Sequence, residues 1–348
     1  MDGPRRPLES PEHHGGNPAE TSPPGPRHFD STRVRIWHGP KPHEGHRVLL
    51  QACLWPLPAA ESAWNMWRGS VDFEHQDAWS YTLAANAVVR LGERAGSGSA
   101  VERCRGWDRR ERLISSLAMA AAQRISSVLG EHGETCTAVG DLAEADESAP
   151  LPVRSIELFS TSASPAMLEA ARRAARIGSI AAMIDDSTIP VVLGPGAAWH
   201  GRWLDARGEA AVGVEPRESP STWQIPTRAE RWAMALSRGW RWGSRDGLRW
   251  ILTSHRMVTS EDPPDCDEVA ACAGRDGSTP LLRAALRCLA DLPGFEDPHS
   301  QERLDRLRRA VNSGPISWRD RWRSAKVTRP PRWWPARVVH RIRRPWQS

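Results

Sequence analysis

Between Glu111 and Leu129, the apolar residues Leu113, Ile114, Leu117, Ala121, Ile125 and Val128 recur at the three- and four-residue spacing of one helical face. A helix of that length must lay its stripe against something, so this segment constrains the fold more than any other. Asp108 stands three residues before Glu111 as a capping box, and Gly130 is placed to end the helix.

The rest of the chain predicts elements of both kinds. Residues 34–38, 47–54 and 66–74 read as strands. In the last of these, Trp67, Gly69, Val71 and Phe73 alternate with Arg68, Ser70, Asp72 and Glu74, the period of a half-buried strand. Residues 79–91 fit either period. Residues 153–159, 189–193, 210–214 and 248–252 read as short strands. One helix follows Ser164 as cap and Pro165 at its first position, carrying Leu168, Ala171, Ile177 and Ile180. Further helices are expected at 228–238, at 280–292 behind Thr279, and at 301–311 behind Ser300. Strands and helices mix without a regular βαβ rhythm, which argues against a doubly wound sheet.

Around these elements the composition marks three regions. Residues 1–32 are dominated by Pro, Gly, Ser, His and charge, and read as a disordered arm. Residues 33–318 form the body, with an acidic linker at 131–150. Residues 319–348 form a basic tail of ten cations and one acid (Asp320), a net of +9, whereas the chain as a whole is +5, so the remainder sums to −4. Charge position, more than charge count, therefore points to a polyanion-binding tail on a mildly acidic body.

Counts alone say less. Only Lys41 and Lys326 are lysine among 47 basic residues, and 18 Trp stand against one Tyr. A G+C-rich gene or an overlapping reading frame produces such a bias without selection for binding.

Known catalytic signatures are missing: no Gly-x-Ser-x-Gly elbow, no phosphate loop, no His-Glu-x-x-His and no paired Cys-x-x-Cys. Gly194, Pro195 and Gly196 read as a turn. His38, His43, His46 and Cys53 hint at metal spacing but read as a His-rich polar loop, and Asp185 with Asp186 as a solvated helix end. No metal and no cofactor are expected. Cys266 and Cys272 sit among acids, with Cys272 expected to be buried near a strand. The six scattered cysteines, without an apolar leader, are expected to be free thiols in a protein that is not secreted. No run approaches 18 uninterrupted apolar residues, so no transmembrane helix is expected.

The candidate site is the tail. Arg319, Arg321, Arg323, Lys326, Arg329, Arg332, Arg337, Arg341, Arg343 and Arg344 can pair with phosphates, and the interleaved Trp333 and Trp334 can stack on unpaired bases. Four prolines in the tail (Pro330, Pro331, Pro335, Pro345) break the continuous amphipathic helix that a membrane surface prefers, which ranks RNA above lipid.

Trp67, Arg68, Gly69, Ser70 and Val71 form a pattern that resembles a jelly-roll strand of picornavirus-like capsid proteins. Two later stretches are similar to the same family in the same order. One runs from Val214 to Ser221, and the other from Asp246 through Trp250 and Val269 to Asp276. The resemblance implies a β-rich, jelly-roll-like sandwich with inserted helices. It also implies a non-enzymatic capsid-like structural protein that self-associates, contacts RNA through its tail, and resides in the virion or host cytoplasm. The alternative is a nucleic-acid-binding accessory or regulatory protein of mixed α+β single-domain fold. An enzyme with a dispersed site, or the product of a constrained reading frame without a resolvable function, are the remaining readings.

Overall fold

The computed structural model describes residues 41–73, 76–138, 140–144, 152–153, 155–160, 164–175, 191–195, 214–215, 223–240, 247–316, 318 and 320–321. Helices dominate them. In chain order these are α1 (Glu44–Leu54), α2 (Leu57–Ser70), α3 (Ala78–Leu91), α4 (Ser99–Glu131), α5 (Pro165–Ala175), α6 (Arg228–Gly239), α7 (Arg249–Thr259), α8 (Cys266–Arg275), α9 (Thr279–Leu289) and α10 (Pro298–Ser313). Five short strands interrupt the series: β1 (Cys136–Ala138), β2 (Ile156–Ser160), β3 (Val191–Pro195), β4 (Val214–Glu215) and β5 (Trp223–Pro226).

The strands form one mixed sheet in the order β3-β2-β1-β5-β4. β1 runs antiparallel to β2 and parallel to β5, and β2 pairs in parallel with β3. That parallel pair needs a crossover, and α5 lies in it. This is a mixed α+β fold. The expected jelly-roll sandwich is overturned, because the described residues are mainly helical and two of the segments expected as strands, with part of a third, are helix.

Residues 47–54, expected as a strand, are helix α1. Val48, Leu49 and Ala52 fall on one helical face, with His46 and Leu50 also buried. The apolar run mimics a buried strand because the helix is buried nearly all round. The same reason turns 248–252 into the start of α7, where every residue from Arg249 to Ser254 is buried.

At 66–74 the alternating pattern straddles a helix end. α2 closes at Ser70, its face being Ala60, Ala63, Trp64 and Trp67, and Val71 then leaves in an extended conformation. Trp67 is buried as expected, but from a helix. Of the other two segments similar to capsid proteins, Asp246–Asp276 supplies α7 and α8, and Val214 and Glu215 make the two-residue β4.

Several local signals hold. β2 and β3 overlap strands expected at 153–159 and 189–193, and the helices expected at 228–238, 280–292 and 301–311 are α6, α9 and α10, although the N-caps of the last two are Ser278 and Asp297, not Thr279 and Ser300. α6 opens on a reciprocal capping box between Thr227 and Glu230. The helix expected at 111–129 is the C-terminal part of α4, which begins at Ser99. Asp108 is therefore an interior residue, paired with Arg112 at 2.8 Å, and not a cap. Cys272 is buried on α8, not beside a strand. The arm 1–32, the strand expected at 34–38 and Asp185–Asp186 lie outside the described residues.

Two apolar cores divide the described residues, and α4 serves both. Its N-terminal Val101 and Cys104 join the larger core built by α1–α3 and α6–α10. Its C-terminal stripe of Ile114, Ala118, Ala121, Ala122, Ile125 and Leu129 packs with Ile156, Leu158, Trp223 and Ile225 of the sheet. Among the described residues α4 is the one helix long and apolar enough to cross a membrane, and that stripe is already spent on the sheet.

The tryptophan excess has a structural use. Trp64, Trp67, Trp232 and Trp250 are fully buried, and the indole N–H of Trp64 donates to Ala95 O at 3.0 Å. Gly239, the last residue of α6, lies so close beneath Trp250 that an added Cβ would sit 2.1 Å from the indole. Gly239→Ala is therefore expected to destabilise the protein by about 1–3 kcal/mol through overpacking, read as a lower urea midpoint at unchanged m-value.

Candidate nucleic-acid interface

Helix α9 buries Leu281, Leu282, Ala285, Leu286 and Leu289, which leaves Arg283 and Arg287, one turn apart, on its outer face. α10 packs alongside through Leu304, Leu307 and Val311. Arg283 reaches across and donates to the carbonyls of Val311, Asn312 and Gly314 at 2.9–3.0 Å. A cation there satisfies the orphan carbonyls at the C-terminus of α10 and complements its dipole. Arg308 returns the contact, donating to Leu286 O at 3.1 Å while pairing with Asp305 at 2.8 Å.

These cross-braces fix two guanidinium groups at the point where the tail leaves the body. Arg321, on the first turn of the tail, completes the ring. With Arg283, Arg287 and Arg308 it rims a groove of about 460 Å³ whose other walls include Pro280 and Ile316. On the far side of Arg287 a second groove of about 380 Å³ is lined by Lys41, Arg47, Cys288 and Asp291. Among the described residues, six cations thus line the two grooves with one acid, Asp291. Burial first, then the like charges of Arg321 and Arg287, pull the Arg283 guanidinium down from its ordinary pKa. A bound anion would relieve that repulsion. Trp318, 72% exposed, stands beside this rim in sequence.

Of the tail residues expected to bind, Arg321 is placed in the groove. Arg319, Arg323, Lys326, Arg329, Arg332, Trp333, Trp334, Arg337, Arg341, Arg343 and Arg344 lie outside the described residues. Sequence reasoning missed Arg283, Arg287 and Arg308. The i, i+4 pair opposite an apolar stripe on α9 was a usable signal for the first two. Nothing in the sequence brings Lys41 and Arg47 to the same helix.

Two other polar clusters were also hidden. Part of the acidic stretch 131–150 is built into the body: Asp141 and Glu144 are buried. Arg249 pairs with both, at 3.2 and 2.9 Å, and Arg238 pairs with Glu157 of β2 at 2.6 Å. Arg231 donates to Ala143 O at 3.1 Å. Among the described residues these three cations and three carboxylates gather where the helical core meets the sheet. The cavity among them, about 20 Å³, has room for about one water.

The second cluster corrects the His-rich loop. His43 is the N-cap of α1, its Nδ1 accepting from the backbone N–H of His46 at 3.3 Å. Both imidazoles turn Nε2 toward Asp77, the N-cap of α3, at 3.5 Å for His43 and 3.0 Å for His46. Burial opposes ionisation of Asp77, but the hydrogen bonds from His43 and His46 outweigh it and hold the carboxyl well below the usual range. Burial likewise pushes His46 below the ordinary imidazole value. Cys53 points away, to Leu83 O at 3.2 Å, and His38 lies outside the described residues. All six cysteines are free thiols, and burial pushes Cys53 and Cys104 up to about 12, so neither offers a thiolate near neutral pH.

No protein-family model, curated protein or solved structure matches the chain.

Proposed function

We propose that the chain is a nucleic-acid-binding accessory or regulatory protein of mixed α+β fold that holds single-stranded RNA on its tail and on the arginine-rimmed grooves at the tail's root. The single observation that carries this reading is the placement of Arg321 beside Arg283, Arg287 and Arg308, which makes the tail's charge continuous with a cationic surface of the body. Guanidinium groups pre-oriented by carbonyl contacts suit phosphate oxygens, and Trp318 offers an exposed face for a base. The capsid-like reading drew on segments taken as strands. With α2, α7 and α8 in their place, it is not carried forward.

The test is RNA binding by the intact chain across a salt series. With five to eight phosphates neutralised, log K should fall against log salt with a slope of about −3.5 to −6 on single strands. Deleting residues 319–348 should remove most of the affinity. In the intact chain, Arg287→Gln with Arg321→Gln should flatten the slope by about 1.4, because two phosphate contacts are lost. Both side chains are exposed, so melting should hold. Unchanged affinity in both variants would sink the proposal. So would tighter binding to anionic vesicles than to RNA at equal ionic strength.

A further inference from the structure

We propose that His43, His46 and Asp77 form a three-ligand site for a borderline divalent metal ion of the zinc type, with one coordination position open to solvent. The site shares no lining residue with the arginine grooves, although Pro42 and Arg47 of the second groove flank its histidines in the chain, and it does not depend on the nucleic-acid reading.

The argument starts from spacing. One donor atom from each of the three residues lies within 4.8 Å of the others. Asp77 Oδ2 is 3.0 Å from His46 Nε2 and 3.5 Å from His43 Nε2. An ion with bonds of about 2.0–2.1 Å separates its ligand atoms by about 2.9 Å at a right angle and about 3.4 Å at the tetrahedral angle. Asp77 Oδ2 therefore already stands close to ligand-to-ligand separation from both imidazole nitrogens, so an ion can replace the two imidazole protons without the helices moving apart. That the same nitrogen of both rings addresses the same carboxylate oxygen follows from capping. His43 and His46 lie at the N-terminus of α1, and Asp77 lies at that of α3, which packs against it.

The site has a fixed half and an adjustable half. His46 is fully buried and the Asp77 side chain is 9% exposed. Asp77 is held from behind by the backbone N–H groups of Trp79 and Ser80 on Oδ1, at 2.8 and 3.0 Å, and by Ser80 Oγ on Oδ2 at 2.8 Å. Such outer hydrogen bonds orient a ligating carboxylate. His43 is 36% exposed, so an ion can enter past it. The two rings stack at 3.5 Å with 23° between their planes. An ion lying near both ring planes requires one ring to turn, and only His43 has the room. Its turn exchanges the 3.3 Å cap bond from His46 N–H for a metal bond.

Donor chemistry selects the ion. Two imidazoles and one carboxylate suit zinc, cobalt, nickel or ferrous iron, whereas magnesium and calcium prefer oxygen sets. Three protein ligands leave a position for water.

The experiment titrates the full chain, kept reduced, with Co(II) and Zn(II). We expect one Co(II) per chain with d–d absorption, and a melting temperature that rises with zinc. His43→Asn and Asp77→Asn keep cap-forming side chains but remove ligands. Each should weaken binding at least about tenfold, the scale on which even outer-shell changes act. Metal-free melting of His43→Asn should stay close to that of the unaltered chain. If either variant fails to fold, X-ray absorption at zinc in the unaltered chain decides: two imidazoles with oxygen support the site, and sulfur ligands overturn it. No melting shift at millimolar zinc, or equal affinity in well-folded variants, also overturns it.

Discussion

Arg249→Met is expected to lower the unfolding free energy by about 3–5 kcal/mol, because it removes a counter-charge that two buried carboxylates share. Arg249 is 5% exposed and lies between Asp141 and Glu144, themselves 5% and 6% exposed. Its guanidinium also donates to Pro152 O at 2.6 Å, which ties the segment before β2 to the helical core. Each carboxylate keeps a further partner, Ser155 N–H at 3.1 Å for Asp141 and Thr253 Oγ1 at 2.9 Å for Glu144. Neutral donors do not replace a lost counter-charge at this depth. Arg249→Met combined with Asp141→Leu and Glu144→Leu removes all three charges, and it should recover much of the loss, since an apolar set of similar volume is often as stable as a buried ion cluster. Urea unfolding at constant m-value measures both. A loss below about 1 kcal/mol in the single variant would mean that water screens the cluster as it does a surface pair.

Trp232→Ala is expected to cost about 3–5 kcal/mol. The indole is 1% exposed on α6, and its N–H donates to Ser254 Oγ of α7 at 3.1 Å within the core. Truncation leaves a cavity and an unpartnered hydroxyl together, and α6 and α7 are closely packed neighbours with little freedom to collapse. Trp232→Phe should retain most of the apolar contact and lose mainly the hydrogen bond, at about 1–2 kcal/mol. Equal losses for Phe and Ala would assign the effect to the hydrogen bond and not to packing. Calorimetric or denaturant melts of the two variants separate these outcomes.

Both effects depend on residues whose role could not be assigned from the chain alone. Asp141 and Glu144 sit in a stretch whose acidity reads as solvated. They are buried because Arg249, more than 100 residues away, meets them there. Tryptophan enrichment reads as codon bias, and bias supplies the residues without saying where they go. Four of them fill the core.

By itself the sequence determined the elements whose signals are local and amphipathic. These are the helix at 111–129, though Leu113 of its expected stripe is exposed, the helix begun by Ser164 and Pro165, and the helices at 228–238, 280–292 and 301–311. One face meets the core and the other meets solvent, so the period survives in the order of residue types. Tertiary structure alone decided α1 and α7, whose short apolar runs Val48–Leu50 and Trp250–Leu252 imitate a buried strand. It also decided α2, whose last turn runs into an extended segment and so imitates alternation. The same holds for the functional surfaces. Arg321 was legible from charge position, but its groove exists because Arg283 and Arg308 brace α9 against α10. His43 and His46 were visible only within a cluster with His38 and Cys53 that reads as a polar loop, and their partner, Asp77, is 31 residues beyond His46 and arrives only when α3 packs on α1. Periodicity records how one element faces its surroundings, whereas a constellation depends on which elements become neighbours, and that is set by the packing of the whole core.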